Sequence, residues 1–208
     1  TTLPGMAAEV SALLRCLSVT PELLVGHSAG AAIATRMALD AREKPRGVIA
    51  LNGAFGPYGG VAGALLAPLA GLCAASGLVA RLIARQAEDL RALERVIAGT
   101  GSTIDRAGLR AYQAVLRKPA HVSATFAMMA NWDLSGLLRA MPAMELPLAL
   151  YVADGDKAVP AHQARALARR CANVSLRPLP GLGHLAHEED PPRVAELIVA
   201  DAEALDLL

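Results

Sequence analysis

Three short stretches hold the residue types that could do chemistry. In "LLVGHSAGAAIATRMAL" (23–39), Ser28 sits between Gly26 and Gly30, where an apolar run passes from strand-like to helical periodicity. A serine hydroxyl is a weak nucleophile at its ordinary pKa, so it needs a base to take its proton and a third group to orient that base. "YVADGDKAVP" (151–160) offers Asp154 and Asp156 just past an apolar run, and "LPGLGHLAHEEDP" (179–191) offers His184 in a glycine-flanked loop. Ser, Asp and His then follow one another along the chain, each expected at the carboxyl end of a strand.

The pattern G-x-S-x-G has a physical reading. A serine on a tight strand-to-helix turn is strained, and its flanks must be small because neighbouring backbone packs against them. Gly26 and Gly30 are expected to meet that need. The turn aims the hydroxyl over a helix N-terminus whose free N–H groups favour negative charge. The Ala29 N–H is then a candidate oxyanion donor. The bland alternative is a small-residue turn that only lets a helix lie close to the sheet. Asp154 and Asp156 compete for the role of orienting acid, and either could instead cap the helix expected near Pro160.

These residues need elements to hold them. "GMAAEVSALLRCL" (5–17) repeats apolar residues at helical spacing after Pro4. "ELLVGH" (22–27) and "RGVIALNG" (46–53) are short continuous apolar runs, the pattern of strands buried on both faces. A helix between them makes a βαβ unit, hence a parallel sheet. From about Phe55 to Met144 only helical periodicity follows, and sheet signals return at "LPLALYVAD" (146–154) and "VSLRPLPG" (174–181). The expected organisation is a core at 1–54, a helical cap at 55–144 and a second core part at 145–208.

Other candidates carry less. His27 is expected to pack or hydrogen-bond locally, and His187 to be solvated among polar neighbours. His121, Thr125, Met128 and Met129 share a helical spacing in the cap, which also holds Trp132. They either face a pocket or, the favoured alternative, Met128 and Met129 fill core gaps. No cluster has the ligand spacing of zinc, iron or magnesium, so neither metal nor organic cofactor is expected. Lys+Arg 20 against Asp+Glu 19 gives a net charge of +1, which leaves no electrostatic footprint for nucleic acid. Cys16, Cys73 and Cys171 are odd in number and scattered, and no secretory signal opens the chain, so a cytoplasmic protein is expected. The uncharged run "VAGALLAPLAGLCAASGLVA" (61–80) has the length of a membrane span, but Pro68 and three glycines break it. It reads as cap helices lining a ligand site, with peripheral membrane contact as a second possibility.

Through "GHSAG", "DKAVP" and "GLGH" followed by "EEDP", the chain resembles the α/β-hydrolase superfamily. That resemblance implies a mostly parallel sheet with helices on both faces, and a Ser28–His184–Asp156 triad in the superfamily's chain order. Match to its D-x-x-V-P pattern favours Asp156, although Gly155 is displaced from the usual place and Asp154 stays a second choice. "GHSAGAAIATRMALD", "ALNGAFGPYGG", "IAGTGSTID" and "AHVSATFAMMANWDL" are similar to the magnesium-chelatase accessory α/β-hydrolases of bacteriochlorophyll biosynthesis. That narrower resemblance implies a role near magnesium insertion into protoporphyrin, with magnesium chelatase as partner. The long uncharged cap predicts a small apolar substrate or a tetrapyrrole as ligand.

Hydrolases of this superfamily place several strands before the nucleophile, and a loop among them gives the second oxyanion N–H. Here only one helix and one strand precede Ser28, and Thr1 stands where an initiator methionine would. The N-terminal strands are therefore expected to be missing. Losing one oxyanion donor costs about 10²–10³ in rate, so a weak enzyme is expected from these residues alone. Two functions follow: a serine hydrolase for an ester-like bond, or a non-catalytic accessory protein that binds porphyrin or membrane on a hydrolase scaffold.

Overall fold

The computed structural model describes residues 2–41, 44–56 and 77–208. Helix α1 (Leu3–Cys16) opens with the Thr2 side chain accepting from the Gly5 N–H and with Pro4 in its first turn. Then come β1 (Leu23–His27), α2 (Ala29–Asp40) and β2 (Gly47–Leu51). Between β2 and the next strand every described element is helical: α3 (Gly77–Gln86), α4 (Leu90–Gly99), α5 (Arg106–Leu116), α6 (Pro119–Ala130), α7 (Ser135–Ala140) and a 3₁₀ turn, Met141–Ala143. The chain closes with β3 (Leu148–Ala153), α8 (Ala161–Ala168), β4 (Val174–Leu179), α9 (Ala186–Glu189) and α10 (Pro191–Glu203).

The four strands form one parallel sheet in the order β1-β2-β3-β4. Its centre is apolar on both faces because helices cover both. Alternate residues of β2 and β3 show this directly. Val48, Ala50, Leu148 and Leu150 pack with Leu3 of α1 and Ala31, Ala34 and Ala38 of α2. Ile49, Leu51, Ala149 and Tyr151 face the other way, onto Val194 of α10 and Leu179. β1 departs from the expected strand buried on both faces, since among the described residues it pairs only with β2, and Val25 is 45% exposed.

The helical segment is tied to this core at two places. Leu134, Leu137, Met141 and Met144 join the α1–α2 side of the core. Leu93 and Ile97 of α4 and Leu109 of α5 form a smaller cluster, which also takes Leu185 from the loop after β4. The methionines of α6 are a correction to the sequence reading. Its buried residue is Val122, Met129 is exposed and Met128 is half-buried, because α6 turns another face to its neighbours. The uncharged run 61–80 lies outside the described residues except at 77–80, the start of α3. Among the described residues no helix is long and apolar enough to cross a membrane.

Candidate active site

The turn between β1 and α2 is the strained one expected. Ser28 has φ 53° and ψ −119°, a backbone region that costs a residue with a Cβ about 1–3 kcal/mol. Neighbouring backbone holds it there. The Ser28 N–H donates to the Leu51 carbonyl at 2.9 Å, and the Ser28 carbonyl accepts from Ala31 N–H at 3.1 Å and Ala54 N–H at 3.0 Å. Gly26 is required, since a Cβ there would run into the Gly30 carbonyl and lie 2.6 Å from the Ala31 nitrogen. Gly30 corrects the sequence reading. Among the described residues a Cβ at Gly30 meets nothing within 4 Å, because the close approach comes from its backbone, not toward its side-chain position. Ala29 is the first residue of α2, so its N–H has no acceptor within the helix.

At the far end of β3, Asp156 and His184 form a buried pair. His184 Nδ1 and Asp156 Oδ2 are 2.8 Å apart, and His184 is 8% exposed. A carboxylate only accepts, so Nδ1 carries a proton, and in the neutral imidazole Nε2 is then the acceptor. The other oxygen, Oδ1, accepts from the Ala158 and Val159 N–H groups at 2.8 Å each. Asp156 thus caps the turn before α8 and holds the histidine as well. Asp154 is exposed and accepts from the Gly181 N–H at 2.8 Å, which anchors the loop rather than the ring.

Ser28 and His184 belong to elements far apart in sequence, and His27 brings them together. Its Nε2–H donates to the His184 carbonyl at 2.9 Å, across 157 positions, and the two rings lie 4.7 Å apart. The expectation of a local bond for His27 is corrected, because β1 ends beside the loop that follows β4. The Ser28 hydroxyl makes no hydrogen bond to the ring in this structure. Hydrogen bonds of this kind in unliganded sites are often long and tighten only around substrate.

Two residues of the site were not singled out for a role by sequence. Asn52, just past β2, has φ 46° and is 4% exposed. Its amide donates to the carbonyls of Gly183 (3.0 Å) and His184 (2.8 Å), and its oxygen accepts from Ala153 N–H at 2.9 Å. One side chain therefore ties the ends of β2 and β3 to the histidine loop. The available signal was Asn-Gly directly after an apolar strand, since asparagine tolerates the left-handed region. His187, expected to be solvated, is half-buried with its ring 4.5 Å from that of His27. Its Nδ1 is buried and finds no hydrogen-bond partner among the described residues.

The electrostatics follow from this crowding. Burial, then the rings of His184 and His187, push the His27 pKa down to about 4. Burial also lowers that of His187. His121 is exposed on α6, Cys16 is exposed and Cys171 buried, while Cys73 lies outside the described residues. Among the described residues no three His, Cys, Asp or Glu side chains gather as a metal site would require. A cavity of about 800 Å³ opens between α1, α2 and the β1 edge, lined by Leu14, Val19, Leu24, Met37 and Pro45, away from Ser28.

A serine on a strained strand-to-helix turn, a histidine after the last strand and an acid after the strand before it define a class of proteins. The sequence model described as the alpha/beta hydrolase family matches residues 1–197, and the chain belongs to that family. It is 39% identical over 186 residues to a protein of Rhodobacter capsulatus named "Magnesium-chelatase 30 kDa subunit". The match takes in 89% of this chain and 64% of that one, so the chain spans under two thirds of that relative's length. Solved structures with the same fold include an esterase of Exiguobacterium antarcticum, with a TM-score of 0.73 at 14% identity over 97% of this chain and 74% of that one. A thermophilic esterase of Thermogutta terrifontis gives 0.69 at 23% identity, over 99% and 73%.

Proposed function

We propose that the protein is a serine hydrolase acting on an ester-like bond of an apolar substrate. Ser28 attacks the carbonyl carbon, and His184 Nε2 takes the hydroxyl proton and returns it to the leaving oxygen. Asp156 holds the imidazole in the Nδ1–H tautomer and stabilises the imidazolium formed on the way. The Ala29 N–H donates to the developing oxyanion. Water then repeats the cycle on the acyl-serine, so no metal or organic cofactor takes part. The observation that carries this reading is the buried 2.8 Å contact of His184 Nδ1 with Asp156 Oδ2, in a loop whose His184 carbonyl accepts from His27, the residue before a serine held at φ 53°.

The setting comes from the Rhodobacter capsulatus relative. We place this activity beside magnesium insertion in bacteriochlorophyll biosynthesis, with a tetrapyrrole ester as one substrate class and magnesium chelatase as a partner. The same relative favours a second reading, because it is named as a subunit and not as a hydrolase. In that reading the scaffold binds a porphyrin, or a membrane surface, and Ser28 has no chemical duty. The helical segment between β2 and β3 is the cap over the site in both readings.

A fluorophosphonate probe separates them. The product of the complete gene should be labelled at Ser28, with labelling lost in Ser28→Ala and His184→Ala. Asp156→Asn should slow it by about 10⁴, the cost of the wrong tautomer in such triads. If the folded protein resists labelling while protoporphyrin binds equally to wild type and Ser28→Ala, the hydrolase reading fails.

A further inference from the structure

The turn between α4 and α5 reaches further into the site than a cap segment needs to. It passes between the loop that carries Asp156 and the loop that carries His184. The Thr100 carbonyl accepts from the Lys157 N–H at 3.0 Å, directly after the acid. The Ser102 hydroxyl, on a residue 1% exposed, accepts from the Leu185 N–H at 2.8 Å, directly after the histidine. Glu189 bridges both sides, taking the Thr103 N–H at 3.4 Å and the Gly183 N–H at 2.8 Å.

Three glycines make the approach possible. Gly101 has φ +88°, and a Cβ on it would collide with the Gly155 carbonyl. A Cβ on Gly183 would strike the Gly101 carbonyl. On Gly155 it would meet the Leu182 carbonyl at 2.8 Å. Backbone lies against backbone along the whole junction, which leaves no slack to absorb a displacement. The Leu185 side chain is in turn buried with Leu93, Ile97 and Leu109 of α4 and α5. The residue after His184 is thus held by its N–H and by its side chain, and both holds come from the helical segment.

We propose that the α4–α5 turn, Thr100–Thr103, is a positioning element for the His184–Asp156 pair, with the Ser102 hydroxyl fixing the histidine loop. The proposal rests on the hydrolase reading for its consequence in rate, but not for its consequence in geometry. Asp156 and His184 sit on the ends of different strands, and each loop is glycine-rich. The loops touch directly through the Gly155 N–H on the Leu182 carbonyl at 2.9 Å, and the turn adds a hold on each from the helical side. The α4–α5 hairpin therefore stays docked while substrate enters and leaves, because lifting it would release the Leu185 N–H and its side chain together.

The test compares Ser102→Ala with Gln113→Ala in the product of the complete gene. Gln113 bonds the Ala87 and Glu88 carbonyls at 2.9 Å each, inside the helical segment and away from both loops. Two readouts are taken: the rate of fluorophosphonate labelling, and the low-field proton resonance of His184 Nδ1–H against Asp156, assigned by its loss in His184→Ala. Misplacement by about 1 Å in such sites costs on the order of 10²-fold in rate. Ser102→Ala should label about 10–100-fold more slowly and lose or broaden the resonance, whereas Gln113→Ala should match wild type in both. A resonance lost in Ser102→Ala supports the proposal even if wild type does not label, which would count against the hydrolase reading alone. A Ser102→Ala protein that keeps the resonance and labels within about twofold of wild type overturns it. If Ser102→Ala does not fold, Ser102→Cys keeps the volume with a weaker acceptor and is judged by the same two outcomes.

Discussion

At the scale of single residues, the site is a set of side chains that each do two things. Asp156 caps a turn and holds a ring, and Asn52 satisfies three backbone groups with one amide. His27 donates to the His184 carbonyl, and its ring lies tilted against those of His184 and His187. Its folded pKa of about 4 lies below the ordinary 6.5, so between those values the unfolded chain takes up a proton that the folded one refuses. Stability contributed by neutral His27 is therefore present above pH 6.5 and lost as pH falls toward 4, by up to about 3 kcal/mol. The lowered pKa of His187 acts in the same direction. His27→Gln keeps a donor for the His184 carbonyl and removes the titration. Urea unfolding at a series of pH values should show a clearly flatter decline for the variant across this window. Parallel curves would refute the assignment. Ser28 and His184 could be picked out from residue type and neighbours, but the roles of Asn52 and His187 could not, because their partners lie far along the chain.

Secondary-structure elements explain why the same motif residue can be indispensable or optional. Gly26 closes the β1–α2 turn against the backbone of Gly30 and Ala31, so Gly26→Ala forces backbone apart and should cost about 3 kcal/mol or more. Gly30 lies in the first turn of α2 with free space at its side-chain position, and alanine is the better helix former by about 1 kcal/mol. Gly30→Ala should leave the denaturation midpoint unchanged or raise it. Equal losses in the two variants would show that the spacing G-x-S-x-G expresses two steric needs and not one. Element types followed from periodicity because strand and helix runs differ plainly in "ELLVGH" and "AGAAIATRMALD". Which side of a helix turns inward did not follow, as Met128 and Met129 show.

For the molecule as a whole, the exposed edge of β1 governs behaviour in solution. Val25 is 45% exposed on a strand that, among the described residues, has a paired neighbour on one side and none on the other. Such an edge is a template for pairing with another chain. These 208 residues expressed alone should associate as concentration rises, and Val25→Lys should reduce that association in light scattering. Unchanged scattering in the variant would move the sticky surface elsewhere. The same scale explains why the helical segment matters to the site: its α4–α5 turn sits between two loops from the sheet, which no local pattern announces.

What the sequence by itself determined is the parallel α/β core, the helical elements within it, the candidates Ser28 and His184, and an acid narrowed to Asp154 or Asp156. These are legible because strand burial, helical period and turn chemistry are local and leave their marks within a few residues. Only the tertiary structure decided that Asp156 and not Asp154 faces the ring, that Gly26 and not Gly30 is sterically bound, and that His27, Asn52 and Ser102 converge on the histidine loop. The convergence of Ser102, Asn52 and His27 depends on contacts 83, 132 and 157 positions apart, and the choice of acid on one 28 apart. The Gly26 clash lies within one turn but is set by how tightly that turn closes on the Gly30 and Ala31 backbone.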